Sequence, residues 1–250
     1  MLETRDLHMS FGGFQAIKAV DFTLDEGTRH AVIGPNGAGK TTFFNLITGH
    51  LVPTAGSVTY KGRSITGMAP HKIVKLGIAR SFQRINIYPR MTVFENVQVA
   101  LIAHDNRNFS MFRLAENLNR NETNELLDLV GLHDQAGEIA GELAYGRQKQ
   151  LELAISLAAN PDVLLLDEPT AGMSPSETAD SIKLIDEIAR SRGLTLLFTE
   201  HDMGVVFGIA DRITVLHHGE IIASGAPDEV RNNPEVRSVY LGEEADDAAA

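Results

Sequence analysis

The segment that most constrains the fold of this chain is GPNGAGKT, from Gly34 to Thr41. It matches the pattern G-x-x-x-x-G-K-[ST], it follows the short apolar run AVI at 31 to 33, and it precedes the apolar stretch FFNLI that Gly49 closes. This order predicts a strand, a glycine-rich loop and a helix. Glycines let backbone N–H groups surround phosphate oxygens without a Cβ in the way, and the helix N-terminus favours negative charge. The segment therefore predicts a nucleotide phosphate site.

The residues of this loop receive individual roles. Lys40 is predicted to meet the β- and γ-phosphates, and the hydroxyl oxygen of Thr41 to ligate Mg²⁺. A glycine-rich turn without a ligand is the structural alternative, but a chance match in a chain of this length is on the order of one in a hundred. The residues predicted to contact the nucleotide here are Gly34, Pro35, Asn36, Gly37, Ala38, Gly39, Lys40, Thr41 and Thr42.

Composition excludes several classes of protein. A formal net charge of -11 argues against a nucleic-acid partner, because affinity for phosphate backbones comes mostly from clustered Lys and Arg. The chain has no Cys, so it has no disulfide framework. Its longest apolar runs, at 99 to 103 and 163 to 166, fall far short of the roughly 18 residues that a membrane span needs. We expect a soluble globule that works at a membrane only if another chain holds it there.

Strand patterns alternate with helix patterns along the chain, which indicates a mainly parallel sheet covered on both faces. Thr92 and Glu95 form a capping box at the start of about sixty residues with little strand signal, a stretch long enough for a helical insert. The predicted strands are 20 to 24, 31 to 33, 58 to 60, 77 to 82, 163 to 166, 194 to 198, 212 to 216 and 220 to 223. The predicted helices include 70 to 76 and 176 to 190, the latter with Ile182, Ile185 and Ala189 on one face.

Two carboxylates end the buried run VLLLDEP at 163 to 169. A parallel strand would present them at its carboxyl edge, beside the nucleotide. We predict that Asp167 lies in the Mg²⁺ shell and that Glu168 polarises the attacking water. Acidic residues also end strands because loops are polar, and for this motif alone the two readings have about even odds. The phosphate loop favours the catalytic reading.

Three further candidates stand at strand ends. His201 follows the predicted strand LLFTE and is a candidate contact of the γ-phosphate, although a lone histidine is more often structural. Gln83 is a candidate ligand of Mg²⁺ or water, or a turn cap. Phe11 or Phe14 is a candidate for stacking on adenine, with a place in the core as the alternative.

The order GPNGAGKT, SFQ, LAYGRQ, LLLDEP, TEHD resembles the ATP-binding subunits of ATP-binding cassette (ABC) transporters, over nearly the whole chain. FGGFQAI, AYG, EPTAGMSP and RNNPEVRSVYLGE most resemble the ATPase subunits of branched-chain amino acid importers. This resemblance implies an α/β P-loop NTPase core with a mainly parallel sheet, an antiparallel β subdomain and a helical insert. It implies ATP and Mg²⁺ as cofactors.

The resemblance also explains ELAYGRQ at 142 to 148, which corresponds to the family's signature loop and completes the ATP site of the opposite subunit. Ala144, Tyr145, Gly146 and Arg147 are the residues this implies, on a helix predicted to begin at Arg147 and aim its N-terminus at a phosphate. The commoner signature has Ser, Gly and Gln where this chain has Ala144, Tyr145 and Arg147. A hydroxyl to the γ-phosphate is missing here, so the backbone, with Arg147, is expected to bind.

The resemblance implies an assembly at the cytoplasmic face of the inner membrane. Its expected partners are two membrane-spanning permease subunits, a second ATPase subunit that is identical or related, and indirectly a solute-binding protein. Residues 84 to 90 follow Gln83 and are expected to face the membrane subunits. We expect a nucleotide-binding core at 1–88 and 160–250, a helical signature subdomain at 89–159, and a disordered acidic tail at 243–250. Leucine-type amino acids are the transported solutes that the resemblance implies first, and amides, urea or aromatic acids are left open.

Two alternatives belong to other classes. One is a soluble ABC-type ATPase that acts on nucleic acid or ribosomes, which the acidic charge and the importer-like C-terminus disfavour. The other is a small-molecule kinase or a GTPase built on the same loop. The chain has no N-K-x-D run to read guanine, and neither class explains LAYGRQ.

Overall fold

The structure, a computed structural model, describes residues 1–81, 86–104 and 118–247. Its strands are β1 Leu2–Phe11, β2 Phe14–Leu24, β3 Arg29–Ile33, β4 Ala55–Tyr60, β5 Arg63–Ser64, β6 Ile78–Arg80, β7 Val163–Asp167, β8 Thr195–Thr199, β9 Arg212–His217 and β10 Glu220–Gly225. Its α-helices are α1 Lys40–Ile47, α2 Pro70–Val74, α3 Val93–His104, α4 Arg120–Leu129, α5 Tyr145–Leu157, α6 Pro175–Arg192, α7 Met203–Ile209, α8 Pro227–Asn232 and α9 Pro234–Asp247. No helix within these ranges is long and apolar enough to cross a bilayer.

The chain forms two compact units, one of Met1–Ile73 with Thr195–Ala250 and one of Val74–Leu194. The first unit contains an antiparallel sheet in the order β2-β1-β4-β5. Strand β1 was not predicted, because its buried residues do not alternate regularly. Leu2 and Thr4 point inward, the register shifts around Asp6, whose φ is +46°, and Leu7 and Met9 point inward again.

Strands β10, β9, β3 and β8 lie side by side in the first unit. β3 pairs in parallel with both β8 and β9, and β9 and β10 form the predicted antiparallel hairpin through His218 and Gly219. The last four residues of β3 and all of β8 are buried, as expected for strands covered on both faces. The carboxyl ends of β3 and β8 therefore lie at the same edge.

The second unit pairs β6 with β7 in parallel, packs α5 against β6, and packs α3, α4 and α6 against α5. The predicted capping box of α3 is present, because the N–H of Thr92 donates to Glu95 and the N–H of Glu95 donates to the Thr92 hydroxyl. Helix α6 ends at Gly193, which adopts the left-handed conformation that closes many helices. Ile185, with Ile188 and Ala189, forms its buried face.

Several predicted boundaries differ from the structure. The compact units divide at 73/74 and 194/195, and the functional division at 88/89 and 159/160 stays a prediction. Helix α5 begins at Tyr145, two residues before Arg147, and Ile182 is only partly buried on α6. Helix α9 continues to Asp247, and the disorder of the acidic tail at 243–250 stays a prediction. Glu and Ala there are strong helix formers that extend an existing helix.

A buried histidine lies in the middle of the first unit. His30 on β3 is 1% exposed, its Nε2 atom is 2.8 Å from the hydroxyl oxygen of Thr214, and its ring packs on Phe22. Burial, and secondarily the charge of Arg212, lowers the pKa of His30 to about 4, while Asp25 acts in the opposite direction. His30 is therefore neutral in the folded protein at physiological pH.

This lowered pKa predicts a loss of stability in mild acid. The unfolded chain binds the proton near pH 6.5 and the native state only near pH 4, so the contribution is complete above pH 6.5 and lost as pH falls toward 4. The free energy of unfolding should fall by about 2 kcal/mol from this cause between pH 7.5 and pH 5.0. Urea denaturation at both pH values should show a smaller loss for His30→Gln than for wild type. An equal loss would contradict the prediction, and the exposed His71→Gln serves as the control.

Candidate functional site

The phosphate loop, residues 34–39, joins β3 to α1 as predicted. Gly34, Gly37 and Gly39 have φ values of +151°, +80° and +107°, which side chains rarely adopt. A Cβ at residue 34 would collide with the carbonyl of Leu216, and one at residue 39 would lie 2.7 Å from the carbonyl oxygen of Ala16. The loop can therefore take this shape only with glycine at these two positions.

The interior of the loop has the donors that a phosphate needs. The Lys40 ammonium is held over the loop, where it donates to the carbonyl oxygens of Gly34 and, at 3.1 Å, Pro35. Gly39 is the N-cap of α1 and makes no side-chain hydrogen bond to the first turn, whose N–H groups have no intrahelical acceptor. Thr41, in that turn, is exposed. These groups fit the phosphates of ATP and, through the Thr41 hydroxyl, a Mg²⁺ ion.

His201 lies in the same unit, shortly after β8. Since β8 runs parallel to β3, with Ala31 opposite Phe198, His201 and the phosphate loop both follow strands at one edge. The side chain of His201 is exposed, and its backbone N–H donates to the carboxylate of Glu200 at 3.2 Å. The topology thus places an imidazole at the edge where the loop begins.

The two candidate adenine contacts form the end of a hairpin. Phe11 and Phe14 face each other across Gly12 and Gly13, and they are 45% and 67% exposed. Neither is a core residue. Both are available to stack on a flat ring.

The acidic pair lies at the end of β7 in the second unit. Asp167 is 2% exposed, and its Oδ2 atom accepts a hydrogen bond from the guanidinium of Arg80 at 2.7 Å. Glu168 is partly exposed and has a φ of +50°. A residue other than glycine held there costs about 1–3 kcal/mol, and such residues concentrate at functional sites. The two neighbouring acids therefore have different surroundings.

The buried oxygens of Asp167 suit Mg²⁺, a hard cation that binds one or two carboxylates and keeps several waters. Within 1–81, 86–104 and 118–247, no group of three or more Asp, Glu, His or Cys side chains forms a metal cluster. Gln83, the other predicted ligand, lies outside the described residues. The sequence analysis did not predict the contact of Arg80 with Asp167. The local pattern predicted the strand of Arg80, but it did not indicate which strand pairs with it.

The signature residues form the first turn of α5. Ala144 is the N-cap, and its side chain makes no capping hydrogen bond to the positive end of the helix. Tyr145 is 44% exposed and packs against Gly172. Arg147 donates to the carbonyl of Gly131 at 3.2 Å and to the Gln150 side chain at 2.9 Å.

A cleft of about 350 Å³ adjoins this turn, lined by Ala144, Gly146, Arg147, Gln150, Met173, Glu177, Asp180 and Ser181. The Glu177 carboxylate accepts hydrogen bonds from the hydroxyl and backbone N–H of Ser174, and these bonds lower the pKa of Glu177. Glu177 lies beside the signature, 3.4 Å from where a Cβ of Gly146 would be. The capping pattern S-x-x-E at 174–177 was a signal for this residue that the sequence prediction did not use.

The first unit thus brings together the phosphate loop, Lys40, Thr41 and His201 at one strand edge, with Phe11 on a hairpin. The second unit brings together Asp167 and Glu168 at the end of β7, and it also holds the signature turn. Each unit therefore carries a separate part of the predicted site.

Comparison with known proteins identifies the family. A family model described as "ABC transporter" matches residues 17–171, and one described as "Branched-chain amino acid ATP-binding cassette transporter" matches residues 220–246. The high-affinity branched-chain amino acid transport ATP-binding protein BraF of Pseudomonas aeruginosa is 40% identical over 250 residues, which cover 97% of this chain and 98% of BraF.

Solved structures agree with this assignment. The ADP conformation of an ATP-binding cassette of an ABC transporter is 30% identical, with a TM-score of 0.85 over 97% of this chain and 98% of that chain. A dimeric post-hydrolysis state of another cassette, bound to ADP and Pi, is 26% identical, with a TM-score of 0.77 over 91% and 99%. These matches confirm the predicted family and fold class. The chain belongs to the ATP-binding proteins of ABC transporters, and it is an ATPase of that family.

Proposed function

We propose that this ATPase is the motor subunit of an importer for branched-chain or other amino acids, bound peripherally at the cytoplasmic face of the inner membrane. The observation that carries the proposal is the likeness to a branched-chain amino acid transport protein over 97% of the chain, together with the separate family match at 220–246. The partners are two membrane-spanning permease subunits, a second identical or related ATPase chain and, indirectly, a solute-binding protein. No nucleic acid takes part.

The residues predicted from the sequence receive the following roles in the proposed ATP site. Lys40 and the loop N–H groups bind the β- and γ-phosphates, and Phe11 stacks on the adenine. Thr41, Asp167 and Gln83 would hold a Mg²⁺ ion, which would neutralise charge on the phosphate oxygens when bound. Glu168 accepts a hydrogen bond from the attacking water and draws its proton, while His201 contacts the γ-phosphate. Catalysis is then mostly electrostatic.

The signature turn completes the site of a second chain arranged head to tail. The N-terminus of α5 is directed to the partner's γ-phosphate, and the exposed Tyr145 and the guanidinium of Arg147 border it. Ala144 has no hydroxyl, so the backbone at Gly146 makes the contact. ATP binding closes the dimer and hydrolysis reopens it. In this proposal residues 84–90, with Tyr88 56% exposed, face the permease subunits.

Lys40→Ala should lower ATP hydrolysis by roughly a hundredfold or more, because the variant lacks the charge that neutralises the phosphates. Its fold should be intact, since the ammonium donates to carbonyl oxygens of its own loop. ATPase assays of the assembled transporter and circular dichroism of the subunit test this. The exposed Lys72→Ala is the matched control. Near wild-type turnover by Lys40→Ala would reject the loop as the catalytic site.

Gly146→Asp should leave ATP binding by an isolated subunit almost unchanged but abolish dimer closure and hydrolysis. The new carboxylate would face the partner's γ-phosphate, and like charges repel. Gly146→Asn has the same size without the charge and should retain more dimer on sizing chromatography with ATP. If Gly146→Asp lost binding as a folded monomer, or if both variants closed equally well, the cross-subunit role would be wrong.

Glu168→Gln keeps the size of the side chain and the same demand on the backbone, a positive φ at a residue other than glycine. It removes only the negative charge. ATP and Mg²⁺ should still bind, and hydrolysis should fall by roughly a hundredfold or more, the usual effect of losing a general base. Because hydrolysis is blocked, ATP with Mg²⁺ should shift this variant toward a dimer on sizing chromatography. Asp167→Asn should instead weaken Mg²⁺-dependent binding. Unchanged turnover in Glu168→Gln would show that Glu168 is not the catalytic carboxylate.

A further inference from the structure

Strand pairing brings a permanently charged side chain to the carboxylate proposed to ligate the metal. Arg80 ends β6 and lies opposite Leu165 of β7 in parallel register. Side chains two residues apart in a strand share a face, so Arg80 and Asp167 are on the same side of the pair. The guanidinium and the carboxylate meet at 2.7 Å, with side chains only 5% and 3% exposed.

Burial makes this ion pair consequential. An isolated carboxylate in this position would be strongly destabilising, because water no longer solvates it. The Arg80 guanidinium places a full positive charge directly beside the Asp167 carboxylate. A divalent cation that approaches the same carboxylate is repelled by this neighbouring charge, and the low polarity of the surroundings strengthens the repulsion.

We propose that Arg80 is a positioning residue that takes the electrostatic place of Mg²⁺ on Asp167 until nucleotide arrives. Free Mg²⁺ then does not load the empty site. ATP supplies several negative charges with the metal, and these outweigh the repulsion from Arg80. The subunit therefore binds Mg²⁺ together with ATP and not before it. This inference rests on the proposed role of Asp167 as a metal ligand.

A purely structural role for Arg80 makes a different prediction. If the pair only joins β6 to β7, every substitution that breaks it lowers stability whether or not a metal is present. If Arg80 stands in for the metal, Mg²⁺ restores stability to a variant that lacks the positive charge. The response to Mg²⁺ without nucleotide therefore separates the two roles.

The test is thermal unfolding of the full chain without nucleotide, with 10 mM MgCl₂ or with KCl at the same ionic strength. Wild type should not respond to MgCl₂. Arg80→Met should unfold at lower temperature in KCl, and MgCl₂ should raise its midpoint by about 2–4 °C. Arg80→Lys, which keeps the charge, should not respond. The double variant Arg80→Met/Asp167→Asn should not respond either, nor should Arg190→Met, whose ion pair with Asp186 lies on the surface of α6.

A midpoint of folded Arg80→Met that is the same in both salts would overturn the proposal, as would an equal Mg²⁺ response in the double variant. If Arg80→Met does not fold, electron paramagnetic resonance of Mn²⁺ with wild type decides. Without nucleotide, wild type should leave Mn²⁺ free, and Mn²⁺ that binds to wild type but not to Asp167→Asn would overturn the proposal. Normal ATP turnover by wild type, lost in Glu168→Gln, would in that case leave the proposed function standing.

Discussion

The site depends on one close approach between backbones. The carbonyl of Leu216 lies where the Cβ of residue 34 would be, and the carbonyl of Ala16 crowds residue 39 in the same way. Hydrogen bonds continue this contact, because Gly219 donates to the carbonyl of Ala38 and Lys18 donates to that of Gly219. Backbone contacts with β2 and with the β9–β10 hairpin thus determine the conformation of the phosphate loop. An anion site needs such a fixed arrangement of its donors.

Local patterns predicted much of the fold. Glycine, helix-capping residues and apolar runs mark α1, α3, α6, β3, β7 and β8 because each of these signals acts over a few residues. The phosphate loop was predictable for the same reason, since its loop residues are contiguous. Even the hairpin of β9 and β10 follows from a short run with His218 and Gly219 between two apolar segments.

Features that depend on distant residues could not be predicted in this way. The bulge at Asp6 hides the alternation of β1, and the pairing of Arg80 with Asp167 requires knowledge of which strands are neighbours. The predicted start of α5 missed Tyr145 because its cap, Ala144, has no side-chain group that marks a helix N-terminus. Family resemblance, by contrast, identified this turn from its sequence alone.

The backbone of Glu168 has a consequence for how this protein can be improved. Its φ of +50° is sterically favourable for glycine and unfavourable for glutamate. Replacement by glycine would relieve that strain and remove the proposed catalytic carboxylate at the same time. Stability therefore favours glycine at this position, whereas ATP turnover requires glutamate. A search for thermostable variants that does not measure activity would select variants that have lost ATP hydrolysis.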